Sequence, residues 1–283
     1  MTLLVGAVAY DPKTVTIWAG FRSWLAERGS ATDFVLYSHY ERQVEDLVAG
    51  RIQVAWNSPL AWLRARRLAA ARGVALRPLL MRDTDRDLTS VVVVRHDSPH
   101  RNVTDLKDTT VAVGALDSPQ ATLIPLSHLN SLGLRPHTDF RVARHDVGVG
   151  LHGDHIGGER DAVRALLAGR ADAACLLDAD HLLFGREGTV PVGATCILTQ
   201  TARYDHCLLV AGETAPPDTV DRLAALLLSM SYADPDARRL LDLEGMTAWC
   251  PARTEGHAAL DLAVRESGFY DAEGRVTARE YRP

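Results

Sequence analysis

Gln43 to Trp56 and Ala162 to Cys175 read as one structural unit met twice: apolar residues at helical spacing, an Ala-Gly-Arg stop, then a short apolar strand. The stops are Ala49-Gly50-Arg51 and Ala168-Gly169-Arg170. A helix, a glycine stop and a buried strand in each half of the chain restrict it to a pair of similar α/β lobes. Both strands deliver polar groups at their carboxyl ends, Asn57-Ser58-Pro59 in one and Asp178-Ala179-Asp180-His181 in the other. Open α/β sheets bind ligands outside those ends, so the expected site is a cleft between the lobes.

The rest of the chain supplies the remaining layers. Val5 to Ala9 reads as a strand, and Val15, Trp18, Phe21, Trp24 and Leu25 give 14–28 the spacing of a helix. After a second strand at Phe34–Tyr37, Ser38-His39-Tyr40-Glu41 reads as a capping box for a helix over 42–49, with Glu41 folded back on the cap. Ser58 as cap and Pro59 as first helical residue open a helix to about Ala71. The run Val91–Val94 reads as a strand buried on both faces. Ser118-Pro119 repeats the cap-then-proline signal, and Pro125 predicts a kink or a late helix start. Tyr204 to Val210 reads as a strand returning the chain to the first lobe, with Tyr204 and His206 on one face and Asp205 and Cys207 on the other. Helices over 218–230, 234–243 and 258–266 complete the reading. The expected lobes are 1–93 plus 204–283, and 94–203, joined by strands that cross between them.

A chain that is 47% hydrophobic and 24% charged is ordinary globular material, which excludes disordered and fibrous classes. A net charge of -5 with no basic block leaves no footprint for nucleic acid, and no apolar run reaches the length of a bilayer span. The expected partner is a small molecule. Cys175, Cys196, Cys207 and Cys250 show neither CxxC nor finger spacing and read as reduced thiols. The N-terminus lacks a basic leader and begins at once with a strand, so a native start at Met1 implies a cytoplasmic protein; a removed leader would imply a periplasmic or extracellular one.

Residues 145–161 hold three of the eleven histidines and five glycines and then run into a helix. His145, His152 and His155, with Asp146 and Asp154 beside them, offer ligands that zinc or ferrous iron accepts, although the spacing matches no established metal motif. The first reading of the stretch is nevertheless a mobile polar lid, with a metal site second and histidines that hydrogen-bond a solute directly third. No cofactor other than such a divalent metal is implied.

With strand ends and caps placed, the sequence resembles the phosphate/phosphonate-binding proteins of ABC importers, as a leaderless and divergent member. The resemblance rests on Val54-Ala55-Trp56-Asn57-Ser58-Pro59, Asp105-Leu106-Lys107 before Val111-Ala112-Val113, Ser118-Pro119-Gln120, Gly158-Glu159-Arg160-Asp161-Ala162 and Ala171-Asp172-Ala173-Ala174. Asp234-Pro235-Asp236 and Leu241–Gly245 fit too. It implies two Rossmann-like α/β lobes around an interlobe cleft, the type II periplasmic binding protein or Venus flytrap architecture. It also implies an ABC permease as partner if the protein is exported. The family's anion cradle is a Ser/Thr-rich helix start that donates hydroxyls and backbone N–H groups. Here that position contains Pro119, which has no N–H to give, and Arg160 stands where relatives place a histidine. Arginine can pair bidentately with an oxyanion. The loop at 147–157 is longer than the family pattern.

The expected function is capture of a small, polar, anionic organic molecule. Tyr10, His39, Tyr40, Trp56, Asn57 and Ser58 would contribute from the first lobe, and Ser118, Gln120, Thr122, His155, Glu159, Arg160 and Asp178 from the second. The alternative is an enzyme on the same scaffold, a lyase or other biosynthetic enzyme. His206 or Cys207, or His152 in the loop, would then carry acid/base, thiolate or metal chemistry.

Overall fold

The computed structural model describes residues 2–283. In the first lobe, β1 (Leu3–Val8), α1 (Lys13–Glu27), β2 (Thr32–Tyr37), α2 (Tyr40–Val48), β3 (Val54–Asn57), α3 (Pro59–Arg72) and β4 (Leu76–Arg82) follow in order. The chain then passes to a second lobe of β5 (Ser90–Arg95), β6 (Thr110–Val113), α4 (Ile124–Ser131), β7 (Arg141–Arg144), α5 (Gly157–Leu167), β8 (Ala173–Leu177), α6 (Asp178–Arg186) and β9 (Thr195–Gln200). It returns through β10 (Leu208–Gly212) to α7 (Pro217–Leu228), α8 (Pro235–Glu244), β11 (Trp249–Pro251) and α9 (Ala258–Ser267).

The two sheets have orders β11-β4-β10-β3-β1-β2 and β7-β6-β8-β5-β9. β10 is antiparallel to β3 and β4, and β5 to β8 and β9, while the edge strand β11 is also antiparallel to β4; β10 and β5 stand inside their sheets. β5 and β10 are the strands that enter a lobe from the other one. The passage falls before Ser90, earlier than the expected 93/94 boundary, because all of β5 pairs in the second sheet.

The repeated unit is visible in the backbone. After α2 and α5 the chain turns at Gly50, φ 73°, and Gly169, φ 70°, a left-handed conformation that a side chain would strain. It then enters β3 and β8, one of the two middle strands of the first sheet and the central strand of the second. Val91–Val94 of β5 are at most 1% exposed and divide their side chains between two apolar clusters, one on each face of the sheet. At ~25 cal/mol per Å² of apolar surface, such two-sided burial is what fixes register. Among the described residues no helix is long and apolar enough to cross a membrane.

Two local expectations change and a third is narrowed. The capping box at Ser38 does not form: His39 is the N-cap of α2, it makes no side-chain cap bond, and Glu41 points elsewhere. Of the kink or late start expected at Pro125, the structure has the late start, with residues 119–123 forming a widened turn and Pro125 in the first turn of α4. Residues 204–207 precede β10 instead of extending it, with Tyr204 making an isolated bridge to Leu88. Without strand alternation, His206 and Cys207 are not forced apart, and His206 Nδ1 lies 3.1 Å from Cys207 Sγ.

Candidate functional site between the lobes

The glycine- and histidine-rich loop belongs to the second lobe and closes on the first. Asp117 anchors it by accepting from the backbone N–H of Gly150 at 2.7 Å and of His152 at 3.1 Å. His152, 0% exposed and at φ 51°, then inserts into the first lobe. Its Nδ1 meets Ser58 Oγ at 2.7 Å and its Nε2 meets Glu41 Oε1 at 3.1 Å. A carboxylate can only accept, so Nε2 carries the proton facing Glu41. The imidazole also stacks on Tyr40, with centroids 4.7 Å apart and planes within 16°. The Tyr40 hydroxyl donates to Asp154 of the same loop, and the Tyr40 N–H donates to Gly150 O at 3.2 Å.

Glu41 gathers groups remote in sequence: Tyr270 donates to its Oε1 at 3.1 Å and Tyr281 at 2.8 Å. Burial opposes ionisation of Glu41, but the charge and bond of His152 and the Tyr281 hydroxyl outweigh it and bring its pKa down to about 2. Sequence reading missed Glu41, Tyr270 and Tyr281. The capping-box pattern offered a local explanation for the first, and nothing local marked the other two.

The second-lobe wall is the turn after Ser118. Gln120 Nε2 donates to Gly153 O at 2.8 Å. A Cβ on Gly153 would fall 2.6 Å from Ser118 Oγ and 2.6 Å from Gln120 Nε2, so only glycine brings the loop this close. Ser118 Oγ accepts from Ala121 N–H at 3.1 Å, and Thr122 Oγ1 donates to Ala115 O at 2.8 Å. Both hydroxyls therefore serve the turn itself. Beyond it, Glu159 Oε2 accepts from Leu177 N–H at 2.8 Å, and the buried Glu159 carboxyl is hydrogen-bonded with the side chains of Asp180 and Gln120. Burial first, and then the charge of nearby Asp180, push the Glu159 pKa well up; burial also raises Asp180.

On the first-lobe floor, Arg82 clamps Asp85 with bonds of 2.7 and 2.8 Å and reaches Glu244 Oε1 at 3.2 Å. His206 Nδ1 lies 3.5 Å from Asp85 Oδ1. Asp85, His206 and Cys207 are the group of described residues close enough to share a metal ion. Arg82 already occupies both Asp85 oxygens, and burial, followed by the Asp85 and Asp154 charges, pushes the Cys207 thiol well above its usual range. That is poor metal-ligand and poor nucleophile chemistry. The expected trio does not assemble: His152 is buried on Ser58 and Glu41, His155 is exposed with Nδ1 accepting from Gly157 N–H at 3.2 Å, and His145 is half-buried with Nε2 unpartnered. The backbone turns at Gly150 and Gly153 send the three rings in separate directions.

Other expected residues divide. Half-buried Tyr10 is in the cleft, its phenol pushed up by burial and then by Glu244 and Asp154. Asn57 is buried, its Oδ1 accepting from Gln43 at 3.0 Å and its Nδ2 free. His39 Nδ1 is 3.5 Å from Glu41 Oε2. Trp56 is core, edge-on to Trp249 at 5.5 Å. Arg160 turns away, paired with Glu187 at 2.9 and 3.0 Å across the ring of Phe184. Asp178 opens α6 and lines a polar cavity of about 570 Å³ at the lobe crossings with Asp87, Thr89, Gln200, Thr201 and Arg203.

Comparison with known proteins fits this geometry. No match was found among curated proteins. Over 94% of the chain and 97% of the other, the fold is similar to PhnD1 of Prochlorococcus marinus in complex with methylphosphonate, at 17% identity and a TM-score of 0.68. XAC2383 of Xanthomonas citri bound to ATP gives 18% identity, coverages of 93% and 96%, and a TM-score of 0.68. The aliphatic sulphonate binding protein SsuA of Escherichia coli gives 19%, 99% and 96%, and 0.58. These likenesses establish the type II periplasmic binding protein fold. The family described as "ABC transporter, phosphonate, periplasmic substrate-binding protein" matches residues 6–256, and the chain belongs to that family of solute-binding proteins.

Proposed function

We propose that the protein captures a small polar organic molecule between its lobes, with the 145–157 loop as the clasp that holds the lobes together. The observation that carries this reading is the bridge from His152 to Ser58 and Glu41, with Asp154 bonded to Tyr40 beside it. It joins a second-lobe loop to a strand end and a helix start of the first lobe, across the cleft between them. Tyr10, Tyr40, Asn57, Gln120 and Asp154 are the side chains best placed to meet the solute. An ABC permease is the natural recipient if the chain acts outside the cytoplasm. The high thiol pKa of Cys207 and the outward pairing of Arg160 support binding over covalent chemistry.

Mass spectrometry of small molecules released from the purified protein, before and after incubation with cell extract, tests this. Recovery of one molecule unchanged is the expected result. Conversion of that molecule into another would replace the binding reading with an enzymatic one.

A further inference from the structure

Residues 257–283 lie beyond the stretch that the family matches, yet they reach the clasp. After α9 the chain turns back on itself: Tyr270 bridges Val276, Thr277 N–H donates to Phe269 O at 2.9 Å, and Gly274 sits in the turn at φ 77°. Two arginines of α3 hold this hairpin by its carbonyls. Arg64 Nε donates to Gly274 O at 3.0 Å while its Nη1 donates to Glu41 O at 2.6 Å, and Arg67 Nη1 donates to Tyr270 O at 3.0 Å. The hairpin is therefore fixed to the first lobe beside the start of α2.

Residues 279–283 are held differently. Among the described residues, their one backbone–backbone hydrogen bond runs from Tyr281 N–H to Ala278 O at 3.2 Å, so side chains keep the segment in place. Tyr281, 1% exposed, tilts against Phe269 at 4.9 Å and donates to Glu41 Oε1 at 2.8 Å, with its hydroxyl 3.3 Å from His152 Nε2. Burial, and then the Glu41 charge, push this phenol far up, so it stays a donor at any working pH. Glu280 crosses to the second lobe and pairs with Arg144, the last residue of β7, at 2.6 Å. Pro283 lies against the loop at Gly150, where a Cβ would fall 3.3 Å from Pro283 Cα and 3.1 Å from His39 Cβ. Core packing accounts for the Tyr281 ring; it does not account for Glu280 and Pro283, which both reach the other lobe.

We propose that residues 279–283 form a strap that, when seated, locks the 145–157 loop in its closed position, with Tyr281 as the positioning residue. The inference rests on the reading of that loop as an interlobe clasp. Glu41 Oε1 receives His152 from the loop, Tyr270 from the hairpin and Tyr281 from the strap, so strap and loop share one anchor. The strap also covers Gly150, whose N–H is one of the two that Asp117 holds. A segment with few backbone bonds opens at lower cost than the sheets beneath it, which lets the strap lift while both lobes stay folded. The Glu280–Arg144 pair is exposed and adds little, so the coupling runs through Tyr281 and Pro283.

Amide hydrogen exchange of the full chain without added solute tests this, against Tyr281→Phe and a variant lacking residues 279–283. The expected result is exchange at residues 150–154 about tenfold faster in the shortened variant and about threefold faster in Tyr281→Phe, which keeps the ring, with β3 and β8 unchanged in both. Unchanged exchange at 150–154 in both variants would overturn the inference. Faster exchange throughout β3 and β8 would overturn it too, because the segment would then be part of what keeps the lobes folded. His152→Ala, measured alongside, separates this failure from that of the clasp. If it speeds exchange at 150–154 and 39–41 while the strap variants do not, the clasp stands and the strap falls; if it changes neither segment, the clasp falls and the strap with it.

Discussion

Replacing His152 by alanine removes the centre of the proposed clasp without touching the fold of either sheet. The imidazole makes one hydrogen bond to a carboxylate at 3.1 Å and one to a hydroxyl at 2.7 Å, and stacks on Tyr40 at 4.7 Å. A bond to a charged group contributes ~1.5–3 kcal/mol and a neutral one ~1 kcal/mol. The aromatic stack adds ~0.5–1.5 kcal/mol. Tyr270 and Tyr281 keep Glu41 hydrogen-bonded after the truncation, so the loss falls at the low end, about 3 kcal/mol. For a chain of this size that corresponds to a fall in Tm of roughly 6–10 °C in scanning calorimetry. His152→Asn separates bonding from backbone strain, because asparagine tolerates the left-handed conformation seen at φ 51°. It should lose nearly as much as alanine. A drop under ~2 °C for His152→Ala would refute the assignment of this ring as an interlobe clasp.

Other outcomes follow from the same geometry. Glu41, whose folded pKa lies near 2 below its ordinary value, contributes stability that is present above about pH 4.5 and disappears as pH falls toward 2; acid unfolding of His152→Ala should lack that component. Glu159 runs the other way, because its raised folded pKa favours the folded state at low pH and loses that advantage as pH rises. Glu159→Gln should therefore raise the Tm of the ligand-free protein at pH 8 more than at pH 5, and an equal change at both would contradict the upward push that burial and Asp180 give its pKa. Arg160→Ala should cost no more than ~0.5–1 kcal/mol and leave ligand affinity unchanged by calorimetry, since its partner is Glu187 on the outside of the lobe. Cys207 should resist iodoacetamide at pH 7.5 in the native protein, as should Cys175, whose pKa burial pushes up to about 12; rapid native labelling of either would show that its surroundings are misread.

The layers of the molecule were legible because they follow from local pattern. The Ala-Gly-Arg stops at 49–51 and 168–170, the valine run of β5 and the Ser58-Pro59 start of α3 each state a conformation within a few residues. The candidate site was legible only in part. Tyr40, Asn57, Ser58, Gln120 and His152 sit at strand ends, helix starts or the glycine-rich loop, where position alone suggests a role. Glu41 could not be placed from sequence, because a local cap and a contact with Tyr281 in the C-terminal segment look identical from Ser38-His39-Tyr40-Glu41. Arg160 read as an anion clamp because its charge is visible in the sequence while Glu187, which holds it, lies on another helix end. The metal reading of the histidines failed for a related reason: proximity along a glycine-rich loop says nothing about where left-handed turns at Gly150 and Gly153 aim each ring.

Amide hydrogen exchange across residues 145–157 and 39–41, followed with and without a solute that binds, tests the central claim most directly. Capture between the lobes with the loop as clasp predicts that both segments gain protection together on binding, and that His152→Ala abolishes the gain. Tight binding that leaves exchange in both segments unchanged would place the solute elsewhere and contradict the account.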